Sequence, residues 1–125
     1  MPERWLEAAR QGEVQRAIIE NAPLATILHD EETVLYANPA ALALVGARRL
    51  DELVGRNLFD FVHPDGEASA RERVQLVYER DLSVHRVACK ISALDGTGVD
   101  CVVTGYPVHV LGRNLIIAVV MPLRK

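Results

Sequence analysis

Histidine, cysteine and acidic side chains are the groups in this sequence that could do chemistry, and they lie far apart along the chain. The two cysteines match no zinc motif. The acidic triplet at 30–32 has no further ligand cluster beside it, so we expect a solvated turn and no metal site. No phosphate loop, nucleophile elbow, paired carboxylates or serine with a nearby base occurs at recognisable spacing, and we expect no enzymatic activity. The histidines and cysteines are His29, His63, His85, Cys89, Cys101 and His109.

Length, composition and charge restrict the class of protein. The 125 residues suffice for one domain with a real core, and a hydrophobic fraction of 50% is ordinary for a globular chain. A net charge of −3 lacks the basic excess that drives nucleic-acid binding. The longest apolar run, Leu115 to Val120, is too short to cross a bilayer, and the N-terminus lacks the apolar core of a signal peptide. We expect a cytoplasmic domain, which could be a fragment of a longer protein.

The first half of the chain contains the clearest local signals. Residues 3–20 have helical apolar spacing. The stretches Ala25 to His29 and Thr33 to Ala37 predict a β-hairpin. Asn38-Pro39 predicts a helix start, because asparagine caps free backbone N–H groups and proline suits the first helical position. Gly46 is placed to end that helix in a left-handed conformation.

The rest of the chain predicts helices followed by three strands. Short helical pieces occupy 47–63, and a longer helix spans about Glu67 to Arg80. Its apolar face consists of Ala70, Val74, Val77 and Tyr78. Strands follow, the last from Leu115 after a turn at Arg113-Asn114, and alternation places their odd-numbered residues inside. The expected inner residues are Val87, Cys89, Ile91, Val99, Cys101, Val103, Ile117 and Val119, with His85 on the same face, either in a pocket or at its wet rim.

The length of the Asp95-Gly96 turn follows from the same alternation. A two-residue loop would put Lys90 on the buried face of Cys101, because a register slip of one residue flips every side chain. The pattern therefore predicts an odd loop of three or five residues. In that register Cys89 lies opposite Cys101 or one step away. We expect two small buried thiols and no disulfide.

Five stretches, in order, resemble a PAS domain over residues 17 to 121. The resemblance implies an α+β fold, with a five-stranded antiparallel sheet in the order 2-1-5-4-3 and helices on one face that enclose a pocket. A GAF-type domain shares this sheet order but usually runs longer. The stretches are Ile19-Glu20-Asn21-Ala22-Pro23, Ile27-Leu28-His29-Asp30, Leu35-Tyr36-Ala37-Asn38-Pro39-Ala40-Ala41, Leu53-Val54-Gly55-Arg56-Asn57-Leu58-Phe59-Asp60-Phe61-Val62-His63-Pro64-Asp65, and Asp95-Gly96.

The resemblance also divides the chain and marks two departures from the family. Residues 1–20 resemble the N-terminal cap helix with which many members dimerise, and 21–125 form the PAS domain. Many members have glycine where this chain has Glu32. Many end in Asp-Ile-Thr, which couples the domain to its effector, where this chain has Met121-Pro122-Leu123. We expect Pro122 to stop the sheet pairing.

Two cofactors of the family are not expected. A light-sensing flavin adduct needs a reactive cysteine in a Gly-x-Asn-Cys-Arg stretch, and the nearest match, Gly55-Arg56-Asn57-Leu58-Phe59, has none. Haem-binding members generally supply an axial histidine from the long helix, and residues 67–80 contain none. His29, His63 and His109 are expected at surfaces or turns, and His85 on the inner face is the exception. The cofactor, if there is one, stays unknown.

The resemblance implies a sensory module of a signal-transduction protein, such as a histidine kinase or a transcription regulator, with a covalently linked effector domain. In one hypothesis, a small apolar ligand binds in the pocket. In the other, the core is filled and the domain serves as a homodimerisation module through Trp5, Leu6, Ala9 and Val14. The candidate ligand contacts are Phe59, Phe61, Val74, Tyr78, His85, Cys89, Cys101, Val103 and Ile117.

Overall fold

The computed structural model describes residues 21–123, which form one antiparallel sheet with helices on one face. The strand order is β2-β1-β5-β4-β3, and the α+β prediction is confirmed. The predicted helix at 3–20 and its candidate interface residues Trp5, Leu6, Ala9 and Val14 lie outside the described residues. The elements are β1 (Ala25–His29), β2 (Val34–Ala37), α1 (Pro39–Val45), three short 3₁₀ turns (Leu50–Glu52, Leu58–Phe61, Pro64–Gly66), α2 (Glu67–Arg80), β3 (Val84–Ser92), β4 (Gly98–Val110) and β5 (Arg113–Pro122).

Helix α1 begins and ends where the sequence predicts. The side chain of Asn38 accepts a hydrogen bond from the backbone N–H of Ala41, and Pro39 occupies the first helical turn. Gly46 ends the helix with a φ of 77°, a left-handed conformation that glycine adopts without a Cβ clash. Its buried residues, Ala41 and Val45, pack into the core beneath the β1–β2 hairpin.

The β3–β4 connection confirms the parity prediction. Ser92 pairs with Gly98, so the loop contains the five residues 93–97. Gly96 takes a φ of 87° in this loop. Cys89 lies directly opposite Cys101, and both thiols are free.

The β4–β5 connection inverts the predicted face of the last strand. Val110 pairs with Arg113, so the turn is the two-residue Leu111-Gly112 with φ values of 50° and 77°, and the predicted turn at Arg113-Asn114 is wrong. A two-residue loop brings odd residues of one strand opposite even residues of the next. Even-numbered residues of β5 therefore share the inner face with odd-numbered residues of β4. The placement of Ile117 and Val119 on that face is wrong.

A bulge near the start of β3 moves His85 to the surface. Val87 pairs with Val103, whereas Val84 pairs with Gly105, so β3 contains one extra residue between these pairs. Arg86 takes a φ of 52° at this point, and its backbone N–H donates to Oγ1 of Thr104. The bulge shifts the alternation by one residue. His85 is therefore exposed, and its predicted place on the inner face is wrong.

The end of β5 also departs from the expectation. Pro122 pairs with Cys101, and the backbone N–H of Leu123 donates to the carbonyl of Asp100 at 2.8 Å. Proline removes only its own N–H group. The sheet pairing therefore continues one residue past Pro122.

Candidate functional site

A cavity of about 100 Å³ lies between α2 and the inner face of the sheet. Its floor is a row of residues across neighbouring strands, with Val84 next to Gly105, Gly105 next to Ala118, and Ala118 next to Ile27. Glycine and alanine are small, so the middle of this row leaves space under α2. The α2 side of the cavity is lined by Ala70, Arg73, Val74 and Val77.

The structure brings most of the predicted ligand contacts together at this cavity. Two of them, Phe59 and Phe61, are buried aromatic residues of the 3₁₀ turn between α1 and α2. Val74 comes from α2, and two residues of strands β3 and β4 complete the group. The predicted contacts that line the cavity are Phe59, Phe61, Val74, Cys89 and Val103.

The other four predicted contacts lie elsewhere. Tyr78 faces a separate polar cleft beside Thr33. Cys101 is buried in the core opposite Cys89 and does not reach the cavity wall. His85 and Ile117 do not line the cavity, because the β3 bulge and the β4–β5 turn place them on other surfaces.

His29 is the residue that the sequence interpretation missed. A surface or turn position is predicted for it, but only 2% of its surface is exposed, and it lines the cavity. Burial lowers the pKa of its imidazole from the usual 6.5, and the nearby Asp30 carbonyl and carboxylate only partly offset this effect. Strand alternation was the available signal, since His29 follows Ala25 and Ile27 on one face of β1.

The other ionisable groups at the cavity leave it largely apolar. Arg73 is half-buried, and its guanidinium donates to Oγ of Ser69 at 3.1 Å. Burial raises the pKa of the Cys89 thiol, although Arg73 beside it favours the thiolate. Burial raises the pKa of the Cys101 thiol to about 11, with a smaller effect from Cys89. Both thiols are thus protonated at neutral pH.

A polar cleft on the surface adjoins the cavity at the ring of Phe59. The guanidinium of Arg71 lies 4.2 Å from the centre of this ring and pairs with Glu67 at 3.1 Å and Glu32 at 3.8 Å. Arg71 therefore covers the outer side of a cavity wall. Its charge is matched by carboxylates of the same cleft, which favours a structural role over anion binding.

The cavity as it stands is small for the cofactors considered for the family. A cavity of about 100 Å³ is well below the 300–1,000 Å³ of typical cofactor and ligand pockets. Leu58 lines the cavity where a flavin adduct would need a thiol. Among residues 21–123, no three His, Cys, Asp or Glu side chains are grouped so that they could hold a metal ion.

The described part of the chain, residues 21–123, contains no helix that is both long and apolar enough to span a membrane.

The sheet order, the helices on one face of the sheet and the cavity between them are typical of a PAS-type α+β domain. The family model described as PAS fold matches residues 15–123. The chain therefore belongs to the PAS family.

A curated relative places similar domains in kinases. The chain is 23% identical over 90 residues to sporulation kinase A of Bacillus subtilis (strain 168), a match that covers 72% of the chain. The chain spans only 15% of the length of that kinase.

Solved structures share the fold at low identity. The PAS domain of an HTR-like protein from Haloarcula marismortui has a TM-score of 0.78 at 16% identity, with 97% of this chain and 98% of that chain covered. The PAS domain of nitrogen regulation protein NR(II) from Vibrio parahaemolyticus has a TM-score of 0.73 at 19% identity, with 88% of this chain and 98% of that chain covered. A Rhodobacter sphaeroides LOV protein has a TM-score of 0.77 at 20% identity, with 94% of this chain and 69% of that chain covered. These likenesses show the fold.

Proposed function

We propose that this PAS domain is a cytoplasmic sensory module that binds a small, mainly apolar ligand and controls a covalently linked effector domain. The apolar cavity between α2 and the sheet is the observation that carries this proposal. The similarity to part of a much longer kinase supports a linked effector. The proposal includes no catalytic activity of the domain itself.

The energetics of packing favour a ligand over an empty space. Protein interiors are normally close-packed, and an unfilled cavity lowers stability by about 24 cal/mol per Å³. A cavity of 100 Å³ therefore costs about 2 kcal/mol when it is empty. A ligand that fills it would recover part of that free energy and would couple binding to the packing of α2 against the sheet.

Filling the cavity by mutation tests the proposal. Ala118 is buried and lines the floor, whereas Ala88 on β3 is exposed, so Ala118→Ile and Ala88→Ile form a matched pair. Native mass spectrometry of the purified chain and a thermal-shift screen of small apolar metabolites provide the readouts. We expect a bound molecule or a rise in Tm for the wild type and Ala88→Ile, and neither for Ala118→Ile.

The filled-core alternative gives the opposite pattern. If the core is effectively closed, Ala118→Ile overpacks it and lowers stability by about 1–3 kcal/mol, and no compound raises the Tm of the wild type. If the cavity is open, the added alkyl group fills space, and Ala118→Ile retains or gains stability without ligand. The first pattern would contradict the ligand-binding proposal.

A second candidate function is homodimerisation, which is compatible with ligand binding. The face of the sheet opposite the cavity presents apolar side chains, with Tyr106 and Met121 exposed among the described residues. Such a face favours packing against a helix or a second sheet. We propose a homodimer in which residues 1–16 take part. Light scattering should show a dimer for the full chain and a monomer after deletion of 1–16. A dimeric truncated chain would contradict that role.

A further inference from the structure

The hydrogen bond of His29 fixes which ring nitrogen carries the proton. Nδ1 lies 2.7 Å from the backbone carbonyl oxygen of Asp30. A carbonyl oxygen can only accept a hydrogen bond, so Nδ1 must be the donor. In a neutral imidazole with the proton on Nδ1, the second nitrogen, Nε2, has a lone pair and acts as an acceptor.

The acceptor nitrogen of His29 opens on the cavity. No described side chain or backbone group donates to Nε2. At the same time, no buried side-chain nitrogen or oxygen among residues 21–123 is both sealed in and without a partner. His29 has only 2% of its surface exposed, and it is one of the residues that line the cavity. Because Nδ1 is held by the Asp30 carbonyl, Nε2 is the ring nitrogen that remains to face the cavity.

The surroundings keep this histidine neutral. The ionisable side chains that line the cavity are His29, Arg73 and Cys89, so the cavity offers a cation and a protonated thiol but no carboxylate. Burial disfavours the imidazolium form more than the carbonyl and carboxylate of the adjacent Asp30 favour it, so the pKa of His29 is lowered. A stable hydrogen-bond acceptor thus lies in an otherwise apolar wall.

We propose, on the basis of the ligand-binding function above, that Nε2 of His29 accepts a hydrogen bond from the ligand. The ligand is then a small neutral molecule with an O–H or N–H donor on an apolar body. A buried acceptor without a partner is unfavourable. Water is a poor substitute, because an ordered buried water needs two to four polar partners and this wall offers few.

The size of the cavity restricts the ligand further. A dry cavity of roughly 150 Å³ in an engineered protein takes up benzene. The cavity of about 100 Å³ beside His29 is somewhat smaller. It suits a short alcohol as it stands, and it suits a single aromatic ring with a hydroxyl after a small outward shift of α2. Phenol is therefore a suitable probe.

Paired probes test the role of the hydrogen bond. Phenol donates a hydrogen bond, whereas fluorobenzene has nearly the same size and cannot donate. Titrations of the full chain, followed by amide chemical shifts and calorimetry, should show phenol binding about two- to tenfold more tightly than fluorobenzene. His29→Phe should remove this preference, and His29→Gln should retain part of it through its amide oxygen. His85→Phe, the same change at an exposed histidine, should behave as the wild type.

The possible outcomes separate the two proposals. Equal affinities of the wild type for phenol and fluorobenzene would overturn the role of His29 while leaving ligand binding intact. Binding of neither probe, together with no response in the metabolite screen, would overturn both proposals. Should His29→Phe fail to fold, the wild-type preference and the ¹⁵N signal of Nε2 decide. That signal must report an acceptor nitrogen that shifts when phenol binds and stays unchanged with fluorobenzene.

Discussion

Replacing Asn38 with alanine should lower the free energy of unfolding by about 3 kcal/mol, because its side chain connects β1 to α1 inside the protein. Oδ1 accepts from the backbone N–H groups of Thr26 at 2.9 Å and Ala41 at 3.0 Å. Nδ2 donates to the backbone carbonyl of Leu24 at 2.9 Å. The exposed fraction of Asn38 is 0%, so water cannot easily replace the lost partners.

The magnitude follows from what alanine leaves behind. Each of these hydrogen bonds contributes about 1 kcal/mol net, and each backbone group left without its partner in the interior costs about 1–3 kcal/mol. The loss of the helix cap is part of the same sum, because the bond to Ala41 is the capping bond. We therefore expect a total between about 2 and 5 kcal/mol. This is a large share of the 5–15 kcal/mol that is typical of a domain.

Urea unfolding followed by far-UV circular dichroism measures this change. Asn57→Ala is the matched control, because Asn57 caps the 3₁₀ turn at Leu58–Phe61 through one bond to the N–H of Phe59 and is exposed. We expect the control to lose about 1 kcal/mol of its free energy of unfolding. Equal losses for the two variants would refute the reasoning from burial. Asn38→Asp should also destabilise, because a buried carboxylate cannot donate to Leu24.

Two further predictions concern ionisable groups near the cavity. The folded state holds the pKa of His29 below 6.5, so the unfolded chain takes up a proton first as the pH falls. The contribution of His29 to stability is therefore fully present above pH 6.5, and below it the free energy of unfolding declines by up to about 1.4 kcal/mol per pH unit. Urea unfolding at a series of pH values measures this decline, which should be less steep for His29→Gln. An equal decline for the two proteins would contradict this origin. The pKa of Cys101 is raised from 9.0 to about 11, which reduces its thiolate by about 100-fold. In Cys89→Ser, a disulfide reagent at pH 7.5 should modify Cys101 far more slowly in the native protein than in urea, and equal rates would contradict the burial.

Local chemistry explains why much of the fold could be predicted from the sequence. The cap at Asn38-Pro39 and the end at Gly46 depend on residues that adjoin in the chain, so their types suffice. The five-residue β3–β4 loop followed from alternation on both flanking strands. The β4–β5 turn could not be inferred in this way. The strand begins at Arg113, two residues before the apolar run, and Leu111 takes a positive φ that its side chain does not suggest.

The candidate site could be predicted only in part, because register decides which residues meet. The α2 face was identified from helical periodicity, and Phe59 and Phe61 were candidates from the resemblance to the PAS family. No pattern in the sequence marks the small residues Gly105 and Ala118 as cavity residues. They create space only because β4 and β5 align them side by side in the sheet. His29 likewise becomes a cavity residue through burial by α2 and the central strands, which are distant in sequence.

The β3 bulge gives the cavity its chemical character. Without it, the register of Val87 with Val103 would continue along the ladder and place His85 opposite Gly105, at the cavity floor. The bulge places Val84 there and turns His85 to the surface. Two imidazoles in one small cavity would favour a metal ion or a polar ligand, since imidazole is a common metal ligand. One imidazole in an apolar wall favours an apolar ligand with a single donor. A deletion of Arg86 would remove the extra residue and still leave Val84 opposite Gly105, with His85 opposite Thr104 on the outer face. We therefore expect this deletion to retain phenol binding, and a loss of binding in a folded variant would contradict this account of the register.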